Sequence, residues 1–452
     1  MMTGLTCGAA REVITPPEEL LSHLRGLRDS TFGGVLDDLY VRVIAVGSGL
    51  DKALLIAFDL DKAPYPAESL ARITTHTGIP EANICFFSTH THTAPVTGFR
   101  PEEPINDIRL KAAEVQTATA KYEQLVTEML FKAVDAAISS MKPAKMGYAY
   151  GESHINVNRV QEYECTDEKG QFYTERWLGV NHQAPVDRTL FVMKFEDMNG
   201  QPIAFFMNYP VHNCVLICNL CCNKKMGVSG DFIGELCRLL EAKFDGSTAV
   251  WSSGAAGDVN PILLNEIIYP DPKTGRAVET HMGEGIKSVM HMLSARHFAD
   301  VMKAVRKISC STDTLAIAGT VDWVFTPGRN VVTREDGSSE IAVGEGVDPY
   351  EIRLHLLQLN DIALLGFSGE LYSSLGRQLQ EISPVKNTLL INHDASLMAR
   401  SGYIFDDEAL ACDTSNRLPG RKSSHMLPGY VSRALEKQTL AMFGKLKHIT
   451  GE

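Results

Sequence analysis

Leu39–Val46 (LYVRVIAV), Ala53–Asp59 (ALLIAFD), Pro66–Thr77 (PAESLARITTHT) and Asn83–Ser88 (NICFFS) follow one another closely near the start of the chain. The first two runs are β-rich and parted by Gly47-Ser48-Gly49, the signature of a hairpin or tight connection. The third reads as a helix and the fourth as a short buried strand. The same alternation continues outward. Thr117–Met141 carries apolar residues at helical spacing and stops before Pro143. Leu190–Phe195 and Pro202–Tyr209 are strands around Asn199-Gly200, a strong hairpin turn. Asp231–Phe244, Glu284–Ile308, Tyr372–Ile382 and Ser432–Lys445 read as helices. Ala249–Ser252, Thr314–Phe325, Glu351–Phe367 and Thr388–Asn392 read as β segments. Gly98–Ile108, Glu162–Arg176 and Pro270–Gly283 are polar, punctuated by Pro and Gly, and read as loops. The pattern predicts an α/β protein with large mixed β-sheets covered by helices. With no repeat and no low-complexity linker, a single catalytic domain over 1–452 is the expected division.

Composition agrees and narrows the function. The 452 residues are 44% hydrophobic and 22% charged, enough apolar material for a large core. Lys and Arg number 43 against 55 Asp and Glu, a net charge of −12. An acidic chain without a basic run argues against nucleic acid or an anionic membrane as partner. Ala53–Phe58, the most apolar segment, falls far short of the roughly 20 residues of a membrane helix. The start, Met1–Cys7, lacks the features of a signal peptide. Ten cysteines are too few for a disulfide scaffold, so a cytoplasmic protein with reduced thiols is expected. The expected partner is a small-molecule substrate; oligomeric state is not legible.

Six stretches could carry chemistry. Ser88–Pro95 (STHTHTAP) follows a buried strand, and an H-x-H pair in extended backbone would put His90 and His92 on one face, about 6.7 Å apart. One metal ion could meet both; two hydrogen-bonded histidines at a strand end is the plainer alternative. His212, in Met207–His212 (MNYPVH), also follows a strand, and strand ends in α/β sheets are where ligand sites collect. Val228-Ser229-Gly230-Asp231-Phe232 opens a helix, where Asp231 serves naturally as an N-cap. Ser252–Pro261 (SSGAAGDVNP) has glycines that would let backbone N–H groups approach an oxyanion, or simply form a tight turn fixed by Asp258. Glu370, in Phe367–Leu371 (FSGEL), is placed either as a metal ligand or as a first-turn carboxylate favoured by the helix dipole. Last, Cys214, Cys218 and Cys221 have the C-x3-C-x2-C spacing of radical enzymes that hold an iron–sulfur cluster. Their apolar surroundings, mid-chain position and Leu220 before the third cysteine favour ordinary buried thiols.

The order of the pieces says more than any one of them. STHTHTAP, NYPVH, VSGDF, AAGDVNP and SGEL, followed by a tyrosine-containing turn, resemble the catalytic domain of the neutral/alkaline ceramidases. Asp38–Arg42 and Asn156-Val157-Asn158-Arg159 look like further landmarks of that family, and the resemblance runs from Ile14 to about Pro419. It implies a zinc ion (Zn2+) held by His90, His212, Glu370 and Tyr403, the last in Ser401-Gly402-Tyr403-Ile404. It further implies His92 as the histidine beside the substrate and Arg159 as the oxyanion contact. Two imidazoles and a carboxylate that leave a coordination position for water are the pattern of hydrolytic zinc, although the same set would accept other metals.

Two departures shape the expectation. The family carries a serine inside G-D-x-S-P-N, where this chain has Asn260 followed by Pro261 and Ile262. An amide cannot be the nucleophile, so metal-activated water is expected, with Asn260 hydrogen-bonding substrate and Asp258 assisting as a base. The segment Asp413–Gly420 also lacks the tyrosines expected near a ceramide amide and offers Asp413, Asn416 and Arg417 instead. The expected substrate is therefore a small polar amide, ester or lactone, sugar-derived in one version, rather than membrane ceramide. The alternatives are an iron–sulfur enzyme using Cys214, Cys218 and Cys221, and a non-catalytic metal-binding relative.

Overall fold

The computed structural model describes residues 3–98, 112–333, 339–399, 401–410, 417–419 and 424–450. Its largest sheet has nine strands. From one edge to the other run Thr248–Ser253, Pro202–Tyr209, Thr189–Asp197, Lys142–Glu152, Thr3–Val13, Tyr40–Ser48, Asp51–Phe58 and Ile84–Ser88. The short Thr314–Leu315 also pairs with Thr3–Val13. A second sheet has four strands, in the order Ile317–Thr326, Tyr350–Leu359, Ile362–Phe367 and Asn387–Ile391. Antiparallel and parallel ladders mix in both, as expected for large α/β sheets.

Period-2 alternation explains how the sheets stack. Leu55, Phe87, Met193 and Phe206 of the large sheet meet Leu357, Leu359, Leu364 and Ile391 of the small one in a shared apolar core. On the far side of the large sheet, Val43, Leu54, Ile56 and Phe58 pack with Tyr122, Val126 and Leu130 of the helix Ala113–Ser139. Val192, Phe205, Met207 and Trp251 pack with Phe232, Leu236 and Leu293, from the helices Asp231–Lys243 and Ile286–Val305. On the far side of the small sheet, Leu354, Leu356 and Leu365 meet Leu375, Leu379, Leu435 and Met442. These come from the helices Ser373–Ile382 and Val431–Thr450. The result is four layers, helix, sheet, sheet and helix. Among the described residues no helix is long and apolar enough to cross a membrane.

The predicted elements lie close to the observed ones, with three corrections. The helix predicted over 117–141 begins earlier and ends at Ser139, because Lys142-Pro143 opens a strand of the large sheet. The loop expected over 162–176 is a hairpin, Asn156–Thr166 against Phe172–Asn181. Its strands carry alternating polar side chains rather than an apolar run, which hid them. The loop expected over 270–283 likewise holds part of the pair Glu266–Pro270 and Ala277–His281. The stretch Gly98–Ile108 lies almost wholly outside the described residues.

Parallel pairing sets the direction of the functional end. Ile84–Ser88 runs parallel to Asp51–Phe58, Pro202–Tyr209 to Thr248–Ser253, and Ile362–Phe367 to Asn387–Ile391. Asp61, His90, His212, Glu370 and His393 all come just after the C-terminal ends of these strands. That is the end of an open α/β sheet where ligands bind.

Candidate metal centre

His90 leaves the strand Ile84–Ser88 with a left-handed backbone, φ 58°. The H-x-H pair is therefore not extended. The turn brings Nε2 of His90 and Nε2 of His92 to 3.1 Å, far closer than the spacing predicted for a strand. Nδ1 of His90 lies 2.8 Å from a carboxylate oxygen of Asp61. His212 is 2% exposed, and its Nδ1 donates to the Val259 carbonyl at 3.0 Å. These hydrogen bonds fix both rings so that Nε2 turns inward, the usual support for a metal-binding imidazole.

Glu370 receives both rings. Its Oε2 lies 3.0 Å from Nε2 of His212 and 3.5 Å from Nε2 of His90. Glu370–Leu371 forms a parallel pair with Tyr403–Ile404, with Glu370 opposite Tyr403. Gly257 makes this possible: a Cβ there would stand 2.7 Å from the Glu370 carbonyl and 2.6 Å from the Tyr372 ring. The glycine-rich turn after Thr248–Ser253 thus serves close packing against the glutamate strand.

Arg159 is 5% exposed and lies beside Tyr403. It donates to the Gly257 carbonyl at 2.6 Å and to Oδ1 of Asn260 at 3.2 Å, and its guanidinium sits 5.3 Å from the Tyr403 ring centroid. His90, His92, Arg159, Asn260, Glu370 and Tyr403 line one cavity of about 300 Å³. Asp61, Lys62, Arg28 and Glu266 add charge to its walls, and Leu27, Leu178, Ile217 and Leu264 add apolar surface.

The electrostatics ask for a cation. Burial works to lower the pKa of His90, but the carboxylates of Glu370 and Asp61 outweigh it and raise it to about 10. Burial and then Arg159 lower His212 to about 4. A neutral His212, its proton held on Nδ1 by Val259, turns a lone pair toward the Glu370 carboxylate at 3.0 Å. Two acceptors face each other there, an arrangement that a metal ion between them resolves. Burial would raise the pKa of Glu370, but His90 and His212 hold it well below the ordinary value. Burial followed by the charge on His90 lowers His92, keeping that imidazole neutral. The donor set fits a metal ion: ligand atoms of His90, His92 and His212, and again of His90, Glu370 and His393, lie within 4.8 Å of one another. Tyr403 stands among them with its pKa raised, chiefly by burial.

Six of the eight residues expected from sequence line this cavity, and His212 joins them from beneath through Glu370. Asp258 does not. Its carboxylate accepts from Asn158 at 2.8 Å, from the Ser373 hydroxyl at 2.7 Å and from the Ser373 N–H at 2.8 Å. It tethers the first residue of the helix Ser373–Ile382 and lines a neighbouring cavity with Asn158 and Ser373, so it is not placed to act as a base at the histidines. Asp231 likewise is structural, accepting from the N–H groups of Leu216 and Phe232. Arg417 pairs with Glu175 at 2.5 Å, and Asp413 and Asn416 lie outside the described residues. The three cysteines are apart in setting: Cys214 points its thiol at Asn260, Cys218 sits beside Arg28, and Cys221 beside Lys287. Among the described residues none of the convergent ligand groups contains them.

Sequence reasoning missed two members of the centre. Asp61 follows the run ALLIAFD by two residues and carried no motif. His393 stacks on His90, ring centroids 3.8 Å apart, and no spacing pattern signals it.

Comparison with known proteins bears on the fold. No family model matches the chain. The neutral ceramidase of Pseudomonas aeruginosa superposes with a TM-score of 0.68 at 13% identity, covering 99% of this chain and 75% of that one. A ceramidase complexed with C2 gives 0.69 at 14% identity, covering 99% and 76%. Neutral ceramidase B of Dictyostelium discoideum is 26% identical over 193 residues, 40% of this chain. That match spans about a quarter (24%) of the relative's length. The chain has the neutral ceramidase fold.

Proposed function

We propose that the chain is a metal-dependent hydrolase that opens an amide, ester or lactone of a small polar substrate with an activated water. The observation that carries this reading is the convergence of His90, His212 and Glu370 on one point, with Tyr403, Arg159 and His92 around it, inside a cavity of about 300 Å³. The names of the proteins sharing the fold support a hydrolase that cuts a polar bond.

His90, His212, Glu370 and Tyr403 would hold the metal, with zinc the preferred ion for two imidazoles and a carboxylate. When bound, such an ion lowers the pKa of water and polarises a carbonyl. The remaining work falls to side chains. Arg159, held by Gly257 and Asn260, keeps its guanidinium at the cavity wall to orient the substrate's carbonyl oxygen as negative charge develops. His92, buried and neutral, takes a proton at Nε2 and returns it to the departing amine or alkoxide. Asn260 has no nucleophilic atom to offer; its amide positions Arg159 and reaches the cavity as a hydrogen-bonding group. The cavity is at the small end for ligand sites, and its charged walls suit a compact polar molecule over a two-chain lipid.

Metal analysis of anaerobically purified protein, followed by a panel of amides, esters and lactones, tests the reading. About one metal ion per chain, lost in His90→Ala and His212→Ala, is expected. Turnover that vanishes in His92→Ala while the metal stays supports the proton-transfer role. A full metal complement in either ligand variant overturns the assignment. Iron with acid-labile sulfide would instead favour the cysteine reading.

A further inference from the structure

We propose that His393 is an additional metal ligand of this centre, making its donor set three imidazoles, a carboxylate and a phenol. The inference rests on the metal-centre reading above. His393 is 3% exposed, and its Nδ1 is buried without a hydrogen-bond partner among the described residues. A buried imidazole nitrogen left unpaired is unfavourable unless something else engages it. The ring lies on His90 at 3.8 Å and nearly parallel, 20° between planes. A donor atom of His393 falls within 4.8 Å of donors of both His90 and Glu370.

The backbone around it is held in place to do this. His393 adopts φ 63° and Ala395 φ 53°, a left-handed backbone uncommon outside glycine. Strain of this kind persists where surrounding contacts over-determine it, and such residues gather at functional sites. Here the N–H groups of four successive residues are all engaged. Asn392 donates to Ser253 at 2.9 Å, His393 to Gly369 at 3.3 Å, Asp394 to Phe367 at 2.9 Å and Ala395 to Phe86 at 2.7 Å. Three of those acceptors belong to the segments that deliver His90 and Glu370. Asp394 locks the turn further, taking the Phe86 N–H on one oxygen and His355 on the other at 2.7 Å. Gly366 leaves room for it, since a Cβ there would stand 2.2 Å from the Asp394 carboxylate. The turn is thus registered against both ligand-bearing segments.

Cobalt(II) titration of the full-length protein tests the proposal, followed by its visible absorption and by X-ray absorption to count imidazoles. Two variants separate ligation from packing. His393→Asn keeps a residue tolerant of the left-handed backbone. His393→Phe keeps an aromatic ring on His90 but removes the nitrogen. Both are expected to lose at least about tenfold in cobalt affinity, to shift the absorption bands and to show one imidazole fewer than the parent. Cobalt bound by the parent, with affinity, spectrum and imidazole count unchanged in both variants, would overturn this inference alone. A parent that binds no cobalt would overturn the metal centre and the inference together.

Discussion

Glu370 and Tyr403 stand opposite each other in the register of a short parallel strand pair, and this one pairing brings a carboxylate and a phenol to the same point as two distant histidines. The segment Gly402–Ile404 is tied to it on both sides, with Glu370 N–H bonded to Gly402 and Tyr372 N–H to Ile404. The tyrosine in the motif order is thus placed by backbone geometry as well as by likeness.

The Asp61 carboxylate, 2.8 Å from Nδ1 of His90, fixes which nitrogen of that ring turns inward. Asp61→Asn should weaken metal binding by about 10–100-fold, the usual cost of losing a carboxylate behind a metal-bound imidazole. Competition with a chelator measures it. Unchanged affinity would show that Asp61 does not orient the ring.

Asp258 ties Asn158 to the start of the helix Ser373–Ile382. Asp258→Ala strands those buried donors and should destabilise the fold by about 1–3 kcal/mol in urea unfolding. The shape of the pH–rate profile should be retained. Loss of one limb of that profile would restore Asp258 as a base.

His297 is fully buried against Tyr209, with Nδ1 2.9 Å from the Ser153 hydroxyl. Burial lowers its pKa from 6.5 to about 4, with only Asp300 opposing. Between those values the unfolded chain holds the proton and the folded chain does not. The stabilisation is therefore present above about pH 6.5 and is lost as pH falls toward 4, amounting to about 3 kcal/mol. Denaturant unfolding at pH 7 and pH 5 should show the decline, and His297→Gln should flatten it. An equal slope in the variant would assign the effect to other groups.

Arg42, in the Asp38–Arg42 landmark, is 2% exposed and bridges Asp59 at 2.7 Å and Glu241 at 2.9 Å. Arg42→Ala leaves two carboxylates buried beside an empty space and should cost about 3–5 kcal/mol. Arg42→Ala melting within a degree or two of the parent would mean the carboxylates find other partners.

The fold was legible where the chain uses strong local signals. The Asn199-Gly200 turn, with Gly200 at φ 82°, and the runs at 53–59 and 83–88 gave strands that lie within a residue or two of the observed ones. The hairpin Asn156–Thr166 with Phe172–Asn181 was missed because its alternation is short, exposed Glu162 and Glu164 against buried Tyr163 and Cys165, and sits among other polar side chains. Its turn was written in Asp167–Gly170, where the Asp167 carboxylate accepts from Lys169 and Gln171. Thr3–Val13 is rich in Gly and Ala, and its strand character comes from pairing on both sides. Within the site, motif order located residues whose side chains meet. It could not find His393, whose position depends on a turn defined by backbone contacts from three other segments.

The proposed donors at 90, 212, 370 and 403 come from widely separated segments of the sequence, and Tyr403 is placed by pairing with Glu370. A polypeptide still emerging from the ribosome cannot assemble this centre until Tyr403 has been made. A metal captured by the full set would therefore mark a chain folded from His90 through Tyr403 and, binding the folded form alone, would draw late folding intermediates toward it.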